Sequence, residues 1–173
     1  MQTYLEIKLP VRTHAKWMTE LRKALWDVPV RWQNGFYHIT LAFLNDVPSS
    51  ADVLSIIDRH LLGMEFPSLT FDRLDTFSTS QSGLHIVYLT VSDIPERFAR
   101  WVEDLRRDLA DAGCVMESDF RLHVTLGRVA ASLIGLDELK AKIGGVSVPP
   151  FRLPIRCLDY REFRGESVRI WNI

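Results

Sequence analysis

The sequence predicts an α+β fold built twice over, with two lobes related by a pseudo-twofold and each giving one strand to a shared cleft. Three observations carry this. A four-residue pattern occurs twice, as His38-Ile39-Thr40-Leu41 and His123-Val124-Thr125-Leu126. The order strand, long helix, motif strand, short helix, strand, strand runs through both halves of the chain. The run Leu69-Thr70-Phe71-Asp72-Arg73-Leu74-Asp75 is echoed by Leu153-Pro154-Ile155-Arg156-Cys157-Leu158-Asp159, at nearly equal distances after the two motifs. A single domain of two lobes, about 1–80 and 81–173, follows, with strands free to exchange between them.

Each element has a local reason. Tyr4 to Leu9 alternates strictly and puts Leu5, Ile7 and Leu9 on one face, the mark of a half-buried strand ended by Pro10. From Thr13 to Asp27, Trp17, Leu21, Ala24 and Leu25 fall at helical spacing. Val30 to Asn45 reads as extended chain, broken by a turn at Asn34-Gly35. Ser49-Ser50 supplies a helix cap, and the stripe Val53, Ile57, Leu61 stops at Gly63. Leu69–Phe77 and Leu84–Val91 read as strands around the turn Ser78 to Gly83. Asp93-Ile94-Pro95-Glu96 resembles a capping box before the stripe Phe98, Trp101, Val102, Leu105, Leu109, which ends at Gly113. Phe120 to Val129 is the second motif strand, Asp137 to Ile143 a short helix, Phe151 to Phe163 a strand and Ser167 to Ile173 a last one.

Composition narrows the function. With 173 residues, 47% hydrophobic and 25% charged, the chain has ordinary globular proportions and no run apolar enough for a membrane span. A cytoplasmic protein acting as a monomer is the expectation. A net charge of −1 argues against wrapping long duplex nucleic acid. Seven Arg and two Lys against five acids from Arg121 to Ile173 leave room for a local anionic ligand. Cys114 and Cys157 lie far apart without a CxxC and are expected to be reduced.

The motif supplies the chemistry. In a strand, each His shares a face with the Thr two residues on, while the aliphatic residue and Leu grip the core behind. Imidazole titrates near neutrality, so one His serves as base and its partner as acid, with no metal or cofactor needed. A Thr hydroxyl beside each donates to an anionic oxygen held between them, and four such groups suit a phosphodiester. No HExxH or Cys/His cluster accompanies the pair to make a zinc site. His14, His60 and His85 have no comparable company and read as structural.

At these residues the sequence resembles the 2H phosphoesterase superfamily, and within it the LigT-like RNA 2′,3′-cyclic phosphodiesterases, also called 2′-5′ RNA ligases. The segments that carry the resemblance are Val30-Arg31-Trp32 through His38 to Leu44, and Phe120 through His123 to Arg128. It departs where relatives often carry Gly and this chain has Asn45-Asp46, and where Leu122 stands in place of Pro. The resemblance implies a bilobal α+β fold with two antiparallel sheets flanked by helices around a central cleft. It implies an enzyme that opens a cyclic phosphate without a metal, using His38 and His123, and 2′-5′ RNA ligase activity beside it. Thr40 and Thr125 would hold phosphate oxygens, and Arg128 matches a position associated with phosphate.

Strict alternation sets Arg128 on the wrong face, a conflict that a bulge near Gly127 would resolve. Tyr4, Glu6 and Lys8 share the cleft-side face of the first strand, where Lys8 suits a phosphate and Glu6 does not. Phe120 and Trp32 have two fates, base stacking and the commoner core packing. Arg156, Arg161, Arg164 and Arg169 either border the site or lie on a solvated face. The expected partner is an RNA 3′ end or a small nucleotide. Two alternatives stay open: a binding protein for RNA ends or nucleotides without useful turnover, and an enzyme of the same kind acting on 2′-5′ linkages or a small cyclic nucleotide.

Overall fold

In the computed structural model, residues 2–11 and 15–173 are described. Thr13, the expected start of the first helix, and His14 lie outside them. In chain order the elements are β1 (Thr3–Leu9), α1 (Lys16–Ala24), β2 (Arg31–Trp32), β3 (Tyr37–Asp46), α2 (Ser50–Leu61), β4 (Leu69–Phe71), β5 (Arg73–Ser78) and β6 (Leu84–Thr90). Then follow α3 (Glu96–Asp111), β7 (Val115–Met116), β8 (Val124–Ala130), α4 (Leu136–Ile143), β9 (Phe151–Leu153), β10 (Cys157–Glu162) and β11 (Ser167–Asn172).

The class is the expected one, α+β with two antiparallel sheets, but the sheets divide unevenly. The motif strands β3 and β8 pair with each other at Ile39↔Val124 and so fuse most of the strands into one nine-stranded sheet. Its main path runs β11-β10-β1-β3-β8-β6-β5, with β2 on β8 and β7 on β3. The second sheet is the two-stranded ribbon β4-β9. If β10 is exchanged with β5, β1 with β6 and β3 with β8, the path from β10 to β5 reads the same from either end, with the motif strands at its centre. The ribbon pairs the two echoed segments directly, at Leu69↔Leu153.

The helices follow their apolar stripes. All five stripe residues of α3 are buried, and at about 1.5–3 kcal/mol for each fully buried large apolar side chain this face alone anchors the helix. Its N-cap is Pro95 and no side chain caps it, so the expected capping box does not form. Ser49 caps α2 as expected, its hydroxyl accepting from the Asp52 N–H at 3.2 Å. Gly63 and Gly113, at φ 68 and 88, take the left-handed conformation just beyond α2 and α3. The helix α1 ends at Ala24, short of Asp27, with Leu25 buried as its C-cap.

Two expected strands are each split in two. Leu69–Phe77 breaks at Asp72, whose carboxylate accepts from the Ser92 N–H and hydroxyl at 2.8 and 3.0 Å. Phe151–Phe163 breaks around Pro154, which has no N–H for a ladder. At both breaks the chain leaves the ribbon for the large sheet. Cys114 and Cys157 are free thiols.

Candidate active site

Both motif strands present the same pattern. On β3, Ile39 and Leu41 are fully buried while His38 and Thr40 are half-buried on the other face. On β8, Val124 and Leu126 are buried and Thr125 is 9% exposed, with His123 half-buried just ahead of the strand. Antiparallel register about Ile39↔Val124 sets His38 across from Thr125 and Thr40 across from His123. Four functional groups therefore converge on one patch at the middle of the sheet.

Each motif strand bulges at its Leu. Against β1, the partners run Leu5↔Ala42 and then Glu6↔Thr40, which leaves Leu41 unpaired. Against β6, they run Val87↔Gly127 and then Tyr88↔Thr125, which leaves Leu126 unpaired. A bulge restarts the alternation one residue late, so Arg128 joins the face of His123 and Thr125. The conflict raised by strict alternation is thus removed, one residue before Gly127. On β3 the same device brings Phe43 to the face of His38 and Thr40.

The surroundings prepare the rings. His123 donates from Nδ1 to the Arg121 carbonyl at 2.9 Å, and since a carbonyl only accepts, its Nε2 is left as the basic nitrogen. Phe77 and Tyr88 stand edge-on to the ring, at centroid distances of 5.4 and 5.7 Å. The Phe36 backbone, two residues before His38, acts on that ring in the opposite sense to burial and favours its charged form. Burial is the main cause holding both imidazoles below their ordinary pKa. The charges of His123 and Arg128 add to it at His38, and those of Arg121 and Arg128 at His123. Arg128 is held in turn by Gln33, whose side chain accepts from Nη1 at 2.8 Å.

The remaining candidates divide. Lys8 is not free for a phosphate, because its Nζ is 2.8 Å from Asp159 Oδ2. Tyr4 stacks on Phe43. Trp32 and Phe120 are packed against the core, Trp32 beneath the Arg22 guanidinium. Of the late arginines, Arg161 reaches Glu6 at 3.8 Å, Arg169 pairs with Asp58 at 2.9 Å and Arg164 lies over Phe163. His60 is paired with Asp108 at 2.7 Å, and His85 is buried between Ser78 and the Ile134 carbonyl. Sequence reasoning missed Gln33, Phe77 and Tyr88, which owe their places to pairing between distant strands, and Arg121, whose carbonyl orients His123 from two residues away. The exposed ring of Phe36 beside His38, with Lys8 Nζ 5.0 Å from its centre, was also missed.

Among the described residues no group of three His, Cys, Asp or Glu side chains is placed to hold a metal ion. No helix among them is long and apolar enough to cross a membrane. A cavity of about 340 Å³ lined by Arg73, Tyr88, Thr90, Phe120 and Arg121 borders the His123 side. A cavity of about 770 Å³ between α1 and the residues after α4 contains neither motif.

Similar folds are known. A crystal structure of a phosphoesterase superposes with a TM-score of 0.59 at 21% identity, covering 99% of this chain and 98% of that one. Kluyveromyces marxianus Usb1 gives 0.67 at 13% identity, covering 99% and 98%. E. coli LigT complexed with 3′-AMP gives 0.57 at 19% identity, covering 99% and 97%. No curated protein sequence matches the chain significantly. A family model described as the 2′-5′ RNA ligase superfamily matches residues 10–162, which include both bulged motif strands and every strand from β2 to β10. The chain belongs to the 2′-5′ RNA ligase superfamily.

Proposed function

We propose that the protein opens a terminal 2′,3′-cyclic phosphate on RNA or a nucleotide to a phosphomonoester, acting as a monomer. The observation that carries this reading is the pair of bulged His-x-Thr-Leu strands meeting at the centre of one sheet. One imidazole takes a proton from water as its oxygen bonds to phosphorus. The other gives a proton to the ribose oxygen as its bond to phosphorus breaks. Each transfer is typically worth about 10²–10⁴-fold in rate. Thr40 and Thr125 donate hydroxyl hydrogens to the non-bridging oxygens, and Arg128 supplies positive charge beside them. Two imidazoles account for both proton movements, so the chemistry asks for no metal.

The structures of E. coli LigT complexed with 3′-AMP and of Kluyveromyces marxianus Usb1 with uridine monophosphate support a nucleotide-sized guest. The test is to incubate purified protein with an oligonucleotide ending in a 2′,3′-cyclic phosphate, in excess EDTA, and to weigh the product. A gain of one water with a bell-shaped pH profile is expected. Complete loss of turnover under chelation overturns the metal-free mechanism, and binding without hydrolysis overturns the enzyme.

A further inference from the structure

The two halves of the site match in His, Thr and bulge but differ in what surrounds each ring. Around His123 stand Phe77 and Tyr88, with Arg121 and Arg128 as the charged neighbours. Beside His38 lies a carboxyl group. Glu6 of β1 is 3% exposed, and its Oε2 is 3.8 Å from His38 Nε2.

The groups facing Glu6 leave it without a strong partner. Lys8, on its own strand, is committed to Asp159 at 2.8 Å. Asp159 of β10, fully buried and paired with Glu6 across the strands, also accepts from Ser167 at 2.9 Å. Arg161 of β10 lies 3.8 Å from Glu6, as far as His38 does, and 4.0 Å from Asp159, and its Nη2 donates to the Gly165 carbonyl at 2.7 Å. Tyr4, also on β1, points to Phe43 and Arg161. A buried carboxyl in such company holds its proton: burial and then Asp159 push it up, against Arg161 and Lys8, to about 7.

We infer that Glu6 is a positioning residue for proton transfer, sharing one proton with His38 and making His38 the acid of the pair and His123 the base. This rests on the phosphodiester chemistry proposed above. In the empty site the shared proton sits on the carboxyl and His38 is neutral. An anionic phosphate against Nε2 favours the imidazolium, so Glu6 closes from 3.8 Å to hydrogen-bond distance, its proton moves to Nε2 and a carboxylate is left. From Nε2 it passes to the ribose oxygen as the bond from phosphorus to that oxygen breaks. The proton of the attacking water goes to His123 and then to solvent, and Glu6 regains one from solvent before the next turn.

The test has two parts on the full-length protein. In the first, kcat and KM for a 2′,3′-cyclic phosphate oligonucleotide are measured against pH for wild type and Glu6→Gln, which keeps volume but carries no transferable proton. With the reservoir gone, the alkaline limb of kcat is expected to move down by about one pH unit, costing about 3–10-fold at pH 8 and less than about twofold at pH 5.5, with KM little changed. A uniform loss at every pH marks a merely structural role and overturns the inference, as does a profile that superimposes on wild type. Absence of turnover in wild type overturns the proposed function instead.

The second part then decides alone, because it needs neither turnover nor a variant. Carbon and nitrogen NMR of the Glu6 carboxyl and the His38 ring are followed while inorganic phosphate is added near pH 6, below the Glu6 pKa of about 7. Conversion of Glu6 to carboxylate as His38 becomes imidazolium supports the shared proton. A Glu6 carboxylate already ionised before phosphate is added overturns it, as does a His38 that never charges.

Discussion

Gly127 holds the narrowest point behind the active-site face, and Gly127→Ala makes a quantitative test of how Arg128 is carried. A Cβ at this position would lie 2.5 Å from Val30 Cγ1 and 3.2 Å from Trp32 Cε3. Carbon atoms pack at about 3.5–4.0 Å, so Val30 must retreat by about 1 Å, and its branched side chain has no spare rotamer to do so freely. Overpacking of this kind costs about 1–3 kcal/mol, or about 2–12 °C in Tm at about 2–4 °C per kcal/mol for a chain of this length. The displaced segment is β2, and with it Gln33, whose N–H donates to the Leu126 carbonyl at 2.8 Å and whose side chain receives Arg128. KM for the cyclic phosphate should therefore rise several-fold along with the loss of stability. Adding Val30→Ala opens the space the new methyl needs, so the double mutant should be less destabilised than the sum of the singles by about 1 kcal/mol or more. The assay is thermal unfolding by circular dichroism on all four proteins. Additivity within about 0.5 kcal/mol, or an unchanged Tm in Gly127→Ala, refutes the steric argument.

Other outcomes follow from the same geometry. Thr125→Val, which exchanges a hydroxyl for a methyl at nearly constant volume, should lower kcat/KM about 10–100-fold with little change in Tm, and equal activity would remove Thr125 from phosphate binding. Stability should respond to pH with two opposed signs. The imidazoles of His38 and His123 sit below their ordinary range, so the unfolded chain binds more protons and stability falls as pH drops through the folded values. Glu6 is raised from 4.5 to about 7, so its contribution is complete below about 4.5 and is lost as pH rises through about 7. Glu6→Gln should abolish that second slope in urea midpoints measured between about pH 5 and 7.5, and an unaltered curve contradicts the burial argument. Asp72→Ala should cost about 1–2 kcal/mol in urea unfolding, because it removes the acceptor of both Ser92 hydrogen bonds at the break between β4 and β5.

Much of this was legible in the chain because its signals are local. The α3 stripe and the shared face of each His and Thr follow from periodicities of 3.6 and 2, and the Ser49 cap and the turn at Gly35 from the residue types themselves. What depends on pairing between distant strands was not. Asp72 and Pro154 mark places where a continuous run of strand-forming residues changes sheets, and only the sheets themselves reveal it. The short β7 is two residues long and exists through its pairing with β3. The Leu126 bulge was anticipated from a conflict, since Arg128 had to cross faces, whereas the Leu41 bulge created no conflict and passed unseen. Alternation put Glu6 on the right face, but its burial comes from β10, more than 150 residues later in the chain. Lys8 looked free for the same reason, because Asp159 is remote in sequence.

The most direct measurement of the central claim is single-turnover hydrolysis of a 2′,3′-cyclic phosphate oligonucleotide by wild type, His38→Ala, His123→Ala and the double mutant, with substrate binding measured alongside. Two imidazoles acting as one unit predict a loss of about 10²–10⁴-fold in each single mutant, little further loss in the double, and binding largely retained. A single mutant that keeps more than about a tenth of the wild-type rate contradicts the account.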